Sequence, residues 1–309
     1  MNRGVQHYTL SIPTKGEFID FIVLANVLVS GALTGLVLVY GLMALGLSVI
    51  FGVARVVNFA HGELMAVSMY AAALSFAAFG VDPFLAAAPV AVVFFVFGYM
   101  FQSTVIQPFI TRPDHAQFIL LLAVAIIITN SLLIVFGPDA RSVRLDYLLE
   151  SIELGPLLID RGKLYAALVA CGAAAALFAF FRLTLTGAAI RACADSWLGA
   201  KVTGLNVKRL YALTFGLGAA CVAVAGCMMI LLVDLTPGLG PAYTLLAFVI
   251  VIVGGLGSMN GALVGGVLIG VSEALAGLLL APSAKSMFSF ALLIIVLLVR
   301  PRGLLGEKL

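Results

Sequence analysis

The stretch GAAIRACADSWLGAKVTGLNVKRLYALTFGLGAACVAVAG, residues 187–226, holds the two signals that decide the fold. Its second half is apolar enough to enter a membrane. Its first half lies in the longest basic patch of a chain that otherwise avoids charge. From Arg182 to Arg209 the cations Arg182, Arg191, Lys201, Lys208 and Arg209 stand against one acid, Asp195. A cationic excess in a short loop between apolar segments marks the cytoplasmic side of a membrane. Within that loop Ile190, Cys193, Ala194, Trp197 and Ala200 recur at helical spacing, which predicts a short helix with one apolar face turned inward. Gly204 suits a left-handed helix end, and Asn206 suits the cap of the next helix. Two readings fit the loop: a docking surface for a soluble partner, or an ordinary surface helix whose cations only fix topology.

Composition extends the membrane reading to the whole chain. Its 309 residues are 63% hydrophobic and 10% charged, with mean hydropathy +1.21. A water-soluble domain of this size needs more charge than that to solvate its surface. The expectation is an all-α, polytopic transmembrane protein, one domain over 1–309 with eight to ten crossings. The net charge of +3 reads as membrane topology and not as a nucleic-acid signal. The first 20 residues are polar and mixed, and the expectation is that no signal peptide is present. Cys171, Cys221 and Cys227 lie in apolar segments and Cys193 in the basic loop, without zinc-ligand spacing, so all read as small buried hydrophobes. His7, His61 and His115 are too dispersed for a metal site. The sequence contains no phosphate-binding Gly-rich loop ending in Lys-Ser/Thr, so any ATP that drives this protein is held by another polypeptide. Paired catalytic carboxylates and a Ser-His-Asp arrangement are lacking as well, which points away from an enzyme.

Before the basic loop, the apolar run Phe18–Val53 is longer than the roughly 20 residues one crossing needs. It fits one tilted helix or a crossing joined to a half-helix, and Gly31 and Gly35 form a small-xxx-small pair for close helix approach. Next comes RVVNFAHGE, 55–63, polar groups wedged between apolar runs. Such groups persist at membrane depth where they face protein, water or a substrate path, whereas at the interface they form an ordinary loop. Further crossings are expected at 64–79, 84–106, 118–136 and 164–181, and after the basic loop at 210–233, 244–255, 262–280 and 287–299. The connection 137–163 carries both signs of charge without a basic excess and reads as extracytoplasmic; the basic tail RPRGLLGEKL reads as cytoplasmic.

Glycine peaks at GGLGSMNG, 254–261, behind a segment, 244–255, too short to span as a regular helix. Broken helices with small residues are where transporters expose backbone to a path. The two breaks, RVVNFAHGE and GGLGSMNG, fit as related pieces of an internal repeat. Close helix packing explains Gly265, Gly266 and Gly270 equally well. Glu273 interrupts an apolar helix. It is a functional candidate by depth, or a packing residue hydrogen-bonded to Ser272 or a neighbouring helix. Asp234 fits an extracytoplasmic mouth or a solvated loop end.

Four stretches together resemble one family, the membrane permeases of branched-chain amino-acid ABC importers, and within it the first of the two permeases such systems carry. They are GLMALGLSVIFGVARVVNFAHGE (41–63), RACADSWLGAKVTGLNVKRLYALTFGLGAACVAVAG (191–226), LLAFVIVIVGGLGSMNGALVGGVLIGVSEAL (245–275) and RPRGLLG (300–306). The resemblance implies a multi-pass protein of the bacterial inner membrane with a cytoplasmic C-terminus. It implies heterodimeric pairing with a related second permease, two cytoplasmic ATPase subunits holding ATP and Mg, and a periplasmic substrate-binding protein. No cofactor or metal is implied for this chain, and its other surroundings are membrane lipid. It also turns the basic loop, about 183–209, into a coupling element on the ATPase, through Arg191, Ala192, Ala194, Asp195, Trp197, Lys201, Gly204 and Lys208. Along the pathway the reading places Asn58, His61, Glu63, Gly254, Gly255, Gly257 and Glu273. Three places depart from the common pattern: Ser196-Trp197 where Pro-Glu is frequent, Leu246 where Lys is frequent, and Met259-Asn260 where Ile-Pro is frequent. The expected cargo is a branched-chain or other hydrophobic amino acid. Rival readings are a urea or short-amide permease, an ion-coupled carrier using Glu273, and a membrane scaffold.

Overall fold

The computed structural model describes residues 21–33, 40–145, 150–154, 157–279 and 285–306. Gly35, His7, the first 20 residues and the last three of the tail, all read above, lie outside that set. The described residues form twelve α-helices and one hairpin. In chain order they are α1 (Phe21–Leu33), α2 (Tyr40–Ala54), α3 (His61–Phe79), α4 (Pro83–Phe101), α5 (Asp114–Phe136), β1 (Ser151–Leu154), β2 (Leu157–Asp160), α6 (Arg161–Leu183), α7 (Leu185–Asp195), α8 (Trp197–Val202), α9 (Val207–Met229), α10 (Leu239–Gly254), α11 (Met259–Leu279) and α12 (Lys285–Val299). Six are long and apolar enough to cross a membrane: α3, α4 with its extension to Phe109, α5, α6, α9 and α11; four shorter apolar helices are α1, α2, α10 and α12. A helix satisfies its own backbone, so it is the form apolar runs take where no water is at hand. This is a multi-pass, predominantly helical membrane protein.

The helix ends follow from short polar residues. Asp82, ahead of Pro83, accepts from Phe84 N at 2.9 Å and starts α4. Asp160 does the same for α6 through Gly162 N at 2.9 Å. Asn206 caps α9 by accepting from Arg209 N at 3.1 Å, and Gly204 ahead of it takes φ +85°. Each such cap contributes about 1 kcal/mol.

Two helices make the core. α9 is buried along almost its whole length between α2, α3 and α4, and α2 is enclosed by α9, α10 and α11. Small residues permit this closeness: at Gly98 a Cβ would lie 2.7 Å from Ala219 Cβ, and at Gly216 2.8 Å from Phe95 O. The antiparallel hairpin, with Ser151 opposite Asp160, sits at one end of the bundle. Nearby, Arg141 bridges to Leu235. The opposite end carries α7, α8 and residues 300–306.

Four boundaries differ from the sequence reading. The run 18–53 holds two short helices, α1 and α2, rather than one tilted helix or a full crossing joined to a half-helix, and α1 packs on α11, where a Cβ on Gly31 would lie 3.2 Å from the Cα of Val271. α10 starts at Leu239, not 244, because Pro241 falls in the first turn, where its missing N–H costs nothing. Even so, its 16 residues span about 24 Å, short of a bilayer core. α9 stops at Met229, four residues early. The single helix expected to carry both Ile190 and Trp197 is two helices, broken at extended Ser196 (φ −152°). Ser196 Oγ accepts from Gly199 N at 3.1 Å and so starts α8 instead of continuing α7. Ile190, Cys193 and Ala200 are buried as expected, whereas Trp197 is 57% exposed.

Candidate translocation pathway and docking end

The first break begins where α2 stops. Arg55 has φ +56°, unusual for a side-chain-bearing residue, and turns the chain back along the helix it has just left. Asn58 Oδ1 accepts from Ala60 N at 3.1 Å, fixing the turn into α3. His61 Nε2 donates to Met43 O at 2.9 Å, which ties the start of α3 to the first turn of α2. Thr244 Oγ1 on α10 accepts from Gly62 N and donates to Glu63 Oε2, both at 2.8 Å. A side chain at Gly62 would overlap Gly240 O and Thr244 N. Asn58, His61 and Glu63 are all buried, packed within protein. Asn58 Nδ2 and His61 Nδ1 have no hydrogen-bond partner among the described residues.

The second break ends α10. Gly255 (φ +113°) and Gly257 (φ +82°) adopt conformations that L side chains resist. The last carbonyls of α10 lack intrahelical donors. They find them in the tail, where Leu304 N donates to Val253 O and Leu305 N to Gly254 O, each at 2.9 Å. Ser258 Oγ then accepts from Gly261 N at 3.0 Å, starting α11. Gly254 and Gly261 meet backbone to backbone, and Gly265 fits beneath Ile250 O. These glycines form a helix-packing seam. Gly257 is different: it lies 3.3 Å from where a Cβ on Gly52 of α2 would sit, so the two breaks adjoin. Between them and α7 opens a cleft of about 450 Å³ lined by Ser48, Arg55, Arg191, Asp195, Gly257 and Asn260. A separate apolar cavity of about 300 Å³, lined by Leu47, Phe51, Phe59 and Phe248, lies along α2 and α10.

Glu273 lies at the far end of α2. Its Oε2 accepts from Tyr40 Oη and its Oε1 from Ser289 Oγ, both at 2.8 Å. Of the two kinds of partner expected for it, neighbouring helices supply both, α2 and α12, while Ser272 donates to Ile269 O at 2.8 Å within its own helix. The carboxylate borders a cavity of about 370 Å³ with Tyr40, Tyr243, Leu246, Ser289 and Phe290. Sequence reading missed Tyr40, Thr244 and Ser289. Each is an isolated hydroxyl in an apolar run, and such hydroxyls at membrane depth are the only trace they leave.

At the basic end, Thr184 Oγ1 accepts from Gly187 N at 2.9 Å and caps α7. Arg191, Ala192, Asp195, Trp197, Lys201, Gly204 and Lys208 are exposed and Ala194 is half-buried. Cys193 is packed inward, and burial pushes its thiol above the usual range, which makes it an inert anchor. Cys221 and Cys227 are buried too, but Cys171 is exposed on α6, contrary to expectation.

A family described as the permease component of branched-chain amino acid transport systems matches residues 27–297. The chain is 31% identical over 287 residues to the high-affinity branched-chain amino acid transport system permease protein LivH of Escherichia coli K12, covering 87% of this chain and 91% of that one. It is 29% identical to BraD of Pseudomonas aeruginosa, another high-affinity permease of such a system, over 87% and 92% of the two chains. To the probable LivH permease of Methanocaldococcus jannaschii it is 28% identical, over 86% and 88%. No solved structure matches the chain.

Proposed function

The chain belongs to the family of permease components of branched-chain amino acid transport systems, and from that premise we propose that it is one permease of an ABC importer that moves branched-chain or other hydrophobic amino acids by ATP-driven alternating access. It is a transport component and not an enzyme; ATP and Mg belong to separate subunits. The observation that carries the reading is the match over 27–297, unbroken across both helix breaks and the basic loop. The assembly we infer contains a related second permease, two cytoplasmic ATPase subunits and a periplasmic binding protein, in the bacterial inner membrane with this chain's C-terminus inside.

The geometry supports a division of labour along the chain. The exposed face of α7 and α8 is the ATPase-docking surface. The cleft beside Gly257 and the apolar cavity beyond it form part of the path, with Asn58, His61 and Glu63 bracing its wall, Gly254 and Gly255 holding the second break in place, and Glu273 at its far end. A path of small apolar surface passes a leucine-like molecule without trapping it, so selectivity resides mostly in the binding protein.

The test is ATP-dependent uptake of L-leucine in proteoliposomes holding both permeases, the ATPase subunits and the binding protein. Uptake is expected only with ATP and loaded binding protein. Uptake by this chain without ATP establishes the ion-coupled carrier instead. For the docking surface, Gly204→Val forces a β-branched residue into φ +85° and is expected to abolish stimulation of ATP hydrolysis by loaded binding protein. Normal stimulation removes α7–α8 from the coupling role.

A further inference from the structure

We propose that the cleft beside Gly257 binds a free amino acid with an apolar side chain from the cytoplasmic side, and that the bound molecule slows transport by holding α7 against the two breaks; the side and the brake rest on the importer reading above. Three arginines, Arg55, Arg182 and Arg191, and one acid, Asp195, line the cleft. Arg191 and Asp195 stand one turn apart on a single face of α7, with Cβ atoms about 6 Å apart. The ammonium and carboxylate of an α-amino acid are joined through one carbon, so one molecule can meet both side chains. Among the described residues Arg191 and Asp195 form no ion pair with each other, so neither charge neutralises the other. The helix ends sort charge in the same way. α7 ends at Asp195, and the carbonyl end of a helix favours a cation. Ser258, Met259 and Asn260 bring the start of α11 to the cleft, and the first N–H groups of a helix favour a carboxylate.

The rest of the wall fixes the ligand's class. Val49, Val53, Phe181 and Ile190 are buried there and supply an apolar floor for a side chain. Ser48 is the exception on that floor. It is fully buried, and its Oγ has no hydrogen-bond partner among the described residues. A hydroxyl buried in that way is unfavourable until a ligand's polar group meets it. The volume of about 450 Å³ falls in the range of small-molecule sites. A phosphate would satisfy the arginines, but it would sit against Asp195 and leave the apolar floor unused. A zwitterion with an apolar tail uses all three features. Position then gives the site its consequence. α7 belongs to the docking surface, and the cleft joins it to α2 and to the start of α11, beside the two breaks. A ligand that favours this arrangement over others shifts the population toward it, so a transporter filled from inside cycles more slowly.

Saturation-transfer NMR on the assembled transporter, without binding protein or ATP, reads the site directly. Transfer to L-leucine is expected, with affinity lowered about tenfold in Arg191→Gln and in Asp195→Asn, each losing one charge-assisted hydrogen bond. Ser48→Ala, away from the docking surface, should lower leucine affinity about threefold without lowering the melting temperature in detergent. The fragment 4-methylpentanoate, tail and carboxylate alone, should bind more weakly than L-leucine and be insensitive to Asp195→Asn. In proteoliposomes, L-leucine loaded on the cytoplasmic side should slow ATP-driven uptake about fivefold, and Asp195→Asn should bring the ratio of rates with and without it back toward one. Leucine transfer that is equal in wild type and in all three variants overturns the site. A fragment that binds as well as L-leucine makes the cleft an anion site and overturns the zwitterion assignment. Site-dependent binding without any slowing of uptake overturns the brake. Site-dependent binding in a transporter that never moves leucine keeps the site and overturns the importer reading.

Discussion

The break between α2 and α3 and the break between α10 and α11 occupy adjoining positions, yet they are held by opposite chemistry. The first is held by side chains: Asn58, His61 and Glu63 turn inward and bond to Ala60, Met43 and Thr244. The second is held by backbone: glycines take positive φ, and tail amides at Leu304 and Leu305 cap the carbonyls of α10. Both are preceded by short helices, of 15 and 16 residues, and followed by long ones. At the end of α2 that leads into the first break, a Cβ on Gly52 would lie 3.3 Å from Gly257 Cα in the second. What differs is tolerance. A break fastened by side chains loses one or two bonds per substitution, whereas a break fastened by backbone has no room for a side chain at all.

The largest expected effect is therefore at Gly255. Leucine there faces φ +113°, a cost of about 1–2 kcal/mol, and its Cβ would sit 2.7 Å from Gly306 Cα. The tail must leave, which uncaps Val253 and Gly254. Gly255→Leu is expected to bring leucine uptake to background while membrane insertion, read by fractionation, persists. Unaltered uptake would mean the second break is not part of the path. Next in size is Thr244→Val. That one hydroxyl serves both Gly62 N–H and the Glu63 carboxylate, so its loss strands a buried donor and a buried charged acceptor. The cost is about 3 kcal/mol, a fall of roughly 5–10 °C in thermal unfolding in detergent. Thr244→Ser should recover most of it. Equal stability of Thr244→Val and wild type would show that the first break is not fastened by this hydroxyl.

The apolar runs made most helices legible in the sequence, because hydropathy sets which segments can lie in lipid. Gly204 and Asn206 were legible for a related reason: their conformational preferences are local. What escaped depended on partners far apart in the chain. Tyr40 reaches Glu273 across a separation of 233 positions and Thr244 reaches Glu63 across 181, and no spacing rule joins single hydroxyls over such distances. The tail motif RPRGLLG was visible as a resemblance, but its task, capping α10, exists only once residues 253 and 304 meet. Ser196 misled in the other direction. Helical spacing continued through it, while its side chain competed for the backbone and split the helix.

The smallest expected effect tests whether the first break is only a clamp. Asn58→Ala removes the bond to Ala60 N, worth about 1 kcal/mol, but it also removes Nδ2, a buried donor without a partner among the described residues. The two changes oppose each other, so the melting temperature should fall by no more than about 3 °C and leucine uptake should stay within twofold. Asn58→Asp keeps the shape and the accepting oxygen but buries a charge, so it should destabilise more than alanine does. If Asn58→Ala instead leaves stability unchanged and lowers uptake tenfold, the unpartnered amide faces the cargo. The first break would then be a reading surface, and the contrast with the glycine break would be one of function as well as of construction.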